Sequence, residues 1–301
     1  MATLFADLAD LHTNAVLSGQ VLLLLAARGA LPMHPAMIFG GTTNGSGSNT
    51  LNFPQVGLMG YDLLDDAADG AQAVPIAITD AVSSLTPARK VKAYEPSDLA
   101  RWTDATGMIN AAAFAQDAVA TYQATQLALL SALGPAFTAT SGPGTGSDLT
   151  GADHLGARIA LEMANVPGPY LAVYHSRQIG DLALDAEGAA AGAFQWSEDA
   201  QRVMQDGFAG RFLGVDIYRS NHVPATSGDA DRAGSMFGRG AVVWGALSVS
   251  PEGDEQVALG PYILFERARQ GLAGVTTYIQ SAYLDFQLAI DEAGTEVLSD
   301  F

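Results

Sequence analysis

The chain has 301 residues, enough for one large domain or two modest ones around a substantial core. Apolar residues make up 49% and charged residues 15%, which excludes long disorder and fits both a protein rich in subunit interface and an Ala/Gly-rich enzyme. A net charge of −18 excludes a protein that grips nucleic acid through Lys and Arg, and zero cysteines exclude disulfides, zinc–thiolate sites and a thiol nucleophile.

Leu4, Leu8, Leu11 and Ala15 fall on one face, so Met1–Leu31 reads as helical, closing through Gln20–Arg28 at Gly29. The apolar run Val21–Ala27 is too short to span a bilayer. No basic stretch precedes it, so no membrane or secretory role is expected, and the protein is expected to be used inside the producing cell. Gly40–Asn49, GGTTNGSGSN, reads as a flexible connector. Leu51–Gly60 and Leu85–Tyr94 read as two extended arms flanking an acidic tract with Asp62, Asp65, Asp66 and Asp69. In the second arm Arg89, Val91 and Ala93 alternate with Lys90, Lys92 and Tyr94. Lys90 and Lys92 are the only lysines, and the acidic tract of a neighbouring copy is one partner they could face. A long hairpin with so little apolar content buries too little to stand alone.

Met108–Leu133 reads as a long helix, about 40 Å at the usual rise, with Ala115, Val119, Tyr122, Leu129 and Leu133 on one stripe and Gly134-Pro135 as its stop. After the loop Thr140–Asp148, Thr150 and Asp153 form a capping-box pattern opening a second helix with Leu155, Ile159 and Met163 on one face. Val166–Pro169 ends it. Tyr170–Tyr174 reads as a buried strand, Ser176 opens a short helix through Leu182, and Phe194–Phe212 reads as mostly helical. Leu213–Pro224, LGVDIYRSNHVP, reads as a turn, a strand and a polar exit. Strands are predicted at Ala241–Val249, Ile263–Ala268, Gly274–Leu288 and Glu296–Leu298, the last two split by a turn at Asp291–Gly294.

Reactive motifs are sparse. The loop segment GPGTGSD lacks the Lys-Ser/Thr of a P-loop and the third glycine of a dinucleotide fingerprint. No serine lies in a nucleophile-elbow setting. The five histidines (His12, His34, His154, His175, His222) show no metal-ligand spacing, and His175 reads as an interior hydrogen-bonded residue rather than a base. The four aspartates of the acidic tract lack a calcium-loop pattern and read as a solvated tip. Asp216 and His222 lie close in sequence, but no nucleophile accompanies them. Glu266, Arg267 and Arg269 alternate charge along a strand and suit pairing across a sheet or between subunits.

In this order the elements resemble the major capsid proteins of tailed phages, with an α+β fold of the Hong Kong 97 type. The segments that carry the resemblance are Ala88–Trp102, the helix Met108–Leu133, Thr150–Leu182, LGVDIYRSNHVP and Arg267–Leu298. The resemblance implies an N-terminal arm over residues 1–49 and an extended hairpin over 50–96. It implies a peripheral domain with a spine helix over 97–137, an apical α/β domain over 138–258, and closing peripheral strands over 259–301. It further implies a non-enzymatic subunit without cofactors. Copies would assemble in the host cytoplasm as pentamers and hexamers into an icosahedral virion shell around double-stranded DNA, with no sequence-specific recognition of that DNA. A separate scaffolding protein, a portal and a decoration protein are the implied partners. Arg89, Lys90, Lys92, Asp65, Asp66, Glu266, Arg267 and Arg269 are the candidate subunit contacts. The lysine crosslinking of some members is not carried over, because Lys90 and Lys92 sit on a returning strand rather than at a tip. An encapsulin-like compartment shell and a soluble α/β hydrolase-type enzyme are the alternatives.

Overall fold

The computed structural model describes residues 34–43, 50–56, 80–95, 111–188, 208–226, 231–247, 256–258, 263–270 and 275–300. Among them, two sheets and a separate strand pair account for the β-structure. The first sheet has six strands: β1 (Met37–Thr42), β4 (Ala88–Tyr94), β11 (Val242–Ala246), β12 (Gln256–Ala258), β13 (Ile263–Gln270) and β14 (Val275–Leu288). Its organiser is β14, fourteen residues long, which pairs antiparallel with β13, β4 and β11. Alternate apolar positions Tyr278, Ala282, Leu284 and Phe286 are buried, as a strand with one face on a core requires.

The second sheet has seven strands, with β5 (Thr140–Ser141), β15 (Gly294–Asp300), β10 (Asp231–Phe237), β6 (Tyr170–Tyr174), β8 (Val215–Arg219) and β7 (Phe208–Phe212) in spatial order, and β9 (Ala225–Thr226) on β10. β6 and β8 run parallel, and β10 lies antiparallel to both β6 and β15. Leu171–Tyr174 are wholly buried, so the apolar run in this strand reflects cover on both faces. Phe208–Phe212, expected to be helical, is a strand; the rest of 194–212 up to residue 207 lies outside the described residues, as does Met1–Leu31. The central strand β10, DRAGSMF, has no sequence forecast at all, because Ala, Gly, Ser and Asp are poor strand formers. Tertiary pairing overrides that preference.

Three α-helices, α1 (Ala111–Ser131), α2 (Gly151–Met163) and α3 (Ser176–Gly188), and two 3-10 turns at Gly134–Ala136 and Asp291–Ala293 complete the described structure. α1 falls within the predicted 108–133 span and runs about 30 Å. Its buried line is Tyr122, Gln126 and Leu130, and of the expected stripe Tyr122 is buried while Leu129 and Leu133 are half-buried against the same core. α2 opens on the predicted capping box, in which the Thr150 side chain accepts from the Asp153 amide and the Asp153 carboxylate accepts from the Thr150 amide. Its expected apolar face, however, points to solvent: His154, Ala157 and Leu161 are buried, and Leu155, Ile159 and Met163 are exposed. α3 is capped by His175 rather than Ser176. The His175 ring accepts from the Arg177 amide, and Gln178 Oε1 accepts from the His175 amide at 2.9 Å. The wholly buried Gln178 then donates through Nε2 to the Arg232 carbonyl, the Val297 carbonyl and Ser299 Oγ, at 3.2, 3.2 and 2.8 Å. One amide thus seats α3 on β10 and β15.

The hairpin is shorter at its base than the sequence suggests. β2 (Leu51–Val56) pairs antiparallel with β3 (Asp80–Leu85), and the returning strand ends there. Ala88–Tyr94 instead joins the six-stranded sheet on β14, after a break at Thr86-Pro87, where proline withholds an amide hydrogen. Gly40–Thr42, expected to be flexible, belongs to β1. Gly40 packs under the Phe53 ring and Gly245 under Leu51 and Leu85, so the base of the hairpin sits directly on β1 and β11.

The two sheets share a double crossing. The chain leaves β10 for β11 through Gly238–Ala241 and leaves β14 for β15 through Ala289–Ala293. These segments bind each other: the Gly238 amide donates to the Ala293 carbonyl at 2.9 Å, and the Ala289 amide donates to the Ala241 carbonyl at 2.7 Å. Gly240 and Arg239 amides reach the Ala36 and Pro167 carbonyls. Phe137 stacks on Phe237 and lies against Gly294.

Two buried polar groups set stability tests. His154 is wholly buried between the Tyr174 hydroxyl (3.0 Å) and the Phe212 carbonyl (3.3 Å). Burial pulls its pKa down from 6.5 to about 4. The unfolded chain therefore takes up this proton first as pH falls; the contribution is complete above pH 6.5 and is lost towards pH 4, worth roughly 3 kcal/mol. Urea titrations from pH 7.5 to 4.5 should show a shallower loss of stability in His154→Gln than in the wild type. Gln126 on α1 is wholly buried, and among the described residues neither of its amide atoms has a hydrogen-bond partner. Gln126→Leu is expected to raise stability by about 1–2 kcal/mol, read as a higher denaturation midpoint.

Candidate assembly surfaces

β4 carries three of the predicted contact residues, and all seven of its residues are exposed. Its pairing with β14 sets Arg89 beside Tyr283, Lys90 beside Ala282 and Lys92 beside Gln280. The Arg89 guanidinium donates to Ser281 Oγ through Nε (3.2 Å) and Nη2 (3.0 Å), and through Nη2 to Glu266 Oε2 at 3.2 Å. Glu266 also accepts from Gln256 Nε2 at 2.7 Å. One polar chain therefore ties β4, β14, β13 and β12, and Glu266 is spent within the subunit. Half-exposed as Arg89 is, this pair orients strands more than it stabilises them. Lys92 Nζ donates to Thr121 Oγ1 at 2.9 Å, joining β4 to α1. Lys90 lies near Asp285, whose carboxyl is pushed up by burial and pulled back by the Phe286 amide and the Lys90 charge. Arg267 and Arg269 occupy β13 opposite Tyr278 and Thr276. Asp65 and Asp66 lie outside the described residues. The structure thus brings Arg89 and Glu266 together across strands of one chain.

The segment Leu213–Pro224 forms the predicted turn and strand. Leu213 and Gly214 have φ of +49° and +80°, the two left-handed positions of a tight hairpin turn between β7 and β8. Arg158 on α2 closes over that turn, donating through Nη1 to the Leu213 carbonyl while Nε and Nη2 hold Glu162 at 2.8 and 2.6 Å. Asp216 meets His34, not His222. His34 Nε2 donates to Asp216 Oδ2 at 3.0 Å, Nδ1 accepts from the Ala36 amide at 3.2 Å, and Arg211 approaches Asp216 at 3.6 Å. Sequence offers no signal for this contact, which spans 182 positions. It ties the segment entering β1 to the second sheet. Ser220 Oγ accepts from Ser131 Oγ at 2.8 Å and from the His222 amide at 3.2 Å, so this exit is held from α1.

The glycine-rich loop Thr140–Asp148 turns its donors inward. The Gly144 amide donates to the Leu298 carbonyl at 3.2 Å and the Gly146 amide to Asp231 Oδ1 at 3.0 Å, an arrangement that anchors the loop to β15 and β10 and leaves these amides unavailable to a phosphate. Among the described residues, no group of three His, Asp or Glu side chains is placed to hold a metal ion, and no helix is long and apolar enough to cross a membrane.

No family model and no curated protein matches the sequence. Solved structures do match in three dimensions. The capsid of cyanophage P-SCSP1u is 14% identical with a TM-score of 0.53 over 87% of this chain and 86% of that one. The capsid of Ralstonia phage GP4 is 10% identical with a TM-score of 0.55 over 88% and 86%. A virus-like particle from Pyrococcus furiosus is 11% identical with a TM-score of 0.50 over 93% and 98%. The chain has the mixed α+β fold of tailed-phage major capsid proteins.

The tight turn gives a direct test of local geometry. A Cβ at Gly214 would meet Arg158 Nη1 at 2.7 Å on a backbone already at positive φ. Gly214→Ala is expected to cost about 1–3 kcal/mol in thermal unfolding. Leu213→Gly, which relieves the neighbouring left-handed residue, should be neutral or mildly stabilising.

Proposed function

We propose that this protein is the shell-forming subunit of a tailed double-stranded DNA phage, assembling as pentamers and hexamers into an icosahedral capsid, and that it is not an enzyme. The observation that carries this reading is the match of nearly nine-tenths of the chain to capsid subunits. The β2–β3 pair supports it: a two-stranded unit outside both sheets, with Val82 exposed, is marginal alone and gains a face when it lies on a neighbour. The net charge of −18 suits a wall that encloses DNA without gripping it. A scaffolding protein, a portal and a decoration protein are further partners under this reading, and the product is a virion component assembled in the host cytoplasm. The likeness to a virus-like particle makes the contents the discriminating property: nuclease-protected DNA supports a phage capsid, and a protein cargo supports a compartment shell.

Light scattering of the purified protein should give capsomers or megadalton particles; a stable monomer even with a scaffolding protein present overturns the reading. Removing the whole of Asn52–Thr86 would also take away the wholly buried Leu85. A cleaner variant replaces Val56–Asp80 with Asn-Gly, which keeps Leu51, Phe53 and Leu85 on the sheet. It is expected to fold with near-native thermal stability and to form no closed particles by electron microscopy. Normal particles from it would count against the model.

A further inference from the structure

The glycine-rich loop Thr140–Asp148 ends beside a buried carboxylate, Asp181 on α3, which is only 9% exposed. Asp181 Oδ1 has Arg177 Nε at 3.8 Å, on a side chain that is itself 60% exposed. Its Oδ2 is buried and has no hydrogen-bond partner among the described residues. A carboxylate held this way is costly when ionised, because neither water nor a donor compensates its charge. Burial first, then the charges of Asp148 on the loop and Asp300 on β15, push the Asp181 carboxyl above the ordinary carboxylate range, and Arg177 offsets this in part. The other charges at this end of the sheet are engaged. Asp231 on β10, opposite Asp300, accepts from the Gly146 amide at 3.0 Å, and the Arg232 charge falls on His175. α3 cannot back away, because Gln178, one turn earlier, fastens it to the Arg232 and Val297 carbonyls and Ser299 Oγ. The loop is the yielding side. Gly142, Gly144 and Gly146 sit at φ of +98°, +85° and +75°, and Asp148 is exposed. Gly144 and Gly146 amides and the Ser147 carbonyl, which accepts from the Asp300 amide at 2.9 Å, fasten the loop to the sheet.

We propose that Asp181 is a proton-operated latch: protonated, it lets the loop close on β15 and α3, and ionised, it repels Asp148 and Asp300 and opens the loop. Among the described residues no three carboxylates are placed to share a metal ion, and the ligand that fits one buried carboxyl is a proton. The folded carboxyl keeps its proton to a higher pH than the unfolded one, whose ordinary value is 3.8. Its contribution to stability is therefore fully present below 3.8 and is lost as pH rises through the folded value. This is opposite in sign to His154, whose contribution is lost as pH falls. The latch is a property of the single subunit and does not depend on the shell reading.

Hydrogen exchange of the full-length chain, corrected for the intrinsic exchange rate at each pH, reads the loop directly. In the wild type, protection at Gly144, Gly146 and Asp300 is expected to fall roughly threefold or more between pH 4.5 and 7.5. Asp181→Asn removes the charge and keeps the shape, so it should hold the acid level of protection at both pH values. Asp148→Asn, at an exposed position, should shrink the wild-type change by taking away one repelling charge, an effect that a merely structural Asp181 would not produce. Urea midpoints give a second readout. Asp181→Asn should be the more stable protein at pH 7.5, with the gap closing towards pH 4.5, and comparison at each pH cancels the His154 contribution. Wild-type protection that does not change with pH overturns the latch. So does an Asp181→Asn protein whose loop responds to pH as the wild type does, or an Asp148→Asn protein with the full wild-type response.

Discussion

The double crossing at Gly238–Ala241 and Ala289–Gly294 is the constraint on which the rest of the subunit depends. Two sheets of different strand order share one chain, and each passage between them is hydrogen-bonded to the other. Neighbouring residues press on both passages closely enough to dictate glycine. A Cβ at Gly238 would meet Val166 at 2.3 Å and one at Gly294 would meet the Phe137 ring at 2.0 Å. With the crossing fixed, β14 and β15 are held as parts of two different sheets only six residues apart. The His34–Asp216 bond adds a second tie between the sheets. The sheets are therefore joined both by these backbone bonds and by one apolar core that draws on each.

Local signals in the sequence were legible where the physics is local. Thr150 and Asp153 announce a helix start because a capping box needs only four consecutive residues. Gly134-Pro135 announces a stop, and alternating Val215 and Ile217 announce a strand, for the same reason. Long-range pairing was not legible. β10 carries little strand preference of its own and is a strand because β6, β15 and Gln178 supply partners. Leu155, Ile159 and Met163 have helical periodicity, but periodicity reports that a face is apolar and not which body covers it. Arg89, Lys90 and Lys92 were recognised as unusual, and their partners Glu266, Asp285 and Thr121 lie 29 to more than 170 positions away. The resemblance to capsid proteins identified the fold from the order of weak segments, a property of the whole chain that no single motif carries.

Basic residues of β4 are engaged mostly with acceptors on their own subunit, so they stiffen the platform on which the hairpin base rests. The apolar side chains that remain outside, on α2 and α3, have no such internal partner. Polar side chains thus tie together the strands of the six-stranded sheet, and large apolar ones remain at the surface of α2 and α3.

The position of β15 has a consequence for how the subunit comes into being. β15 is the last strand of its sheet in sequence, yet it lies in the interior of that sheet, between β5 and β10. Its seven pairings with β10 bridge from residues 231–237 to 294–300. On a ribosome, β5, β6, β8 and β10 all emerge before the strand that joins β5 to β10. The nascent sheet therefore carries an open edge on β10 until translation has passed that point, and its closure is tied to the clock of synthesis. A subunit built this way leaves that edge open to wrong pairing until residues 294–300 have emerged.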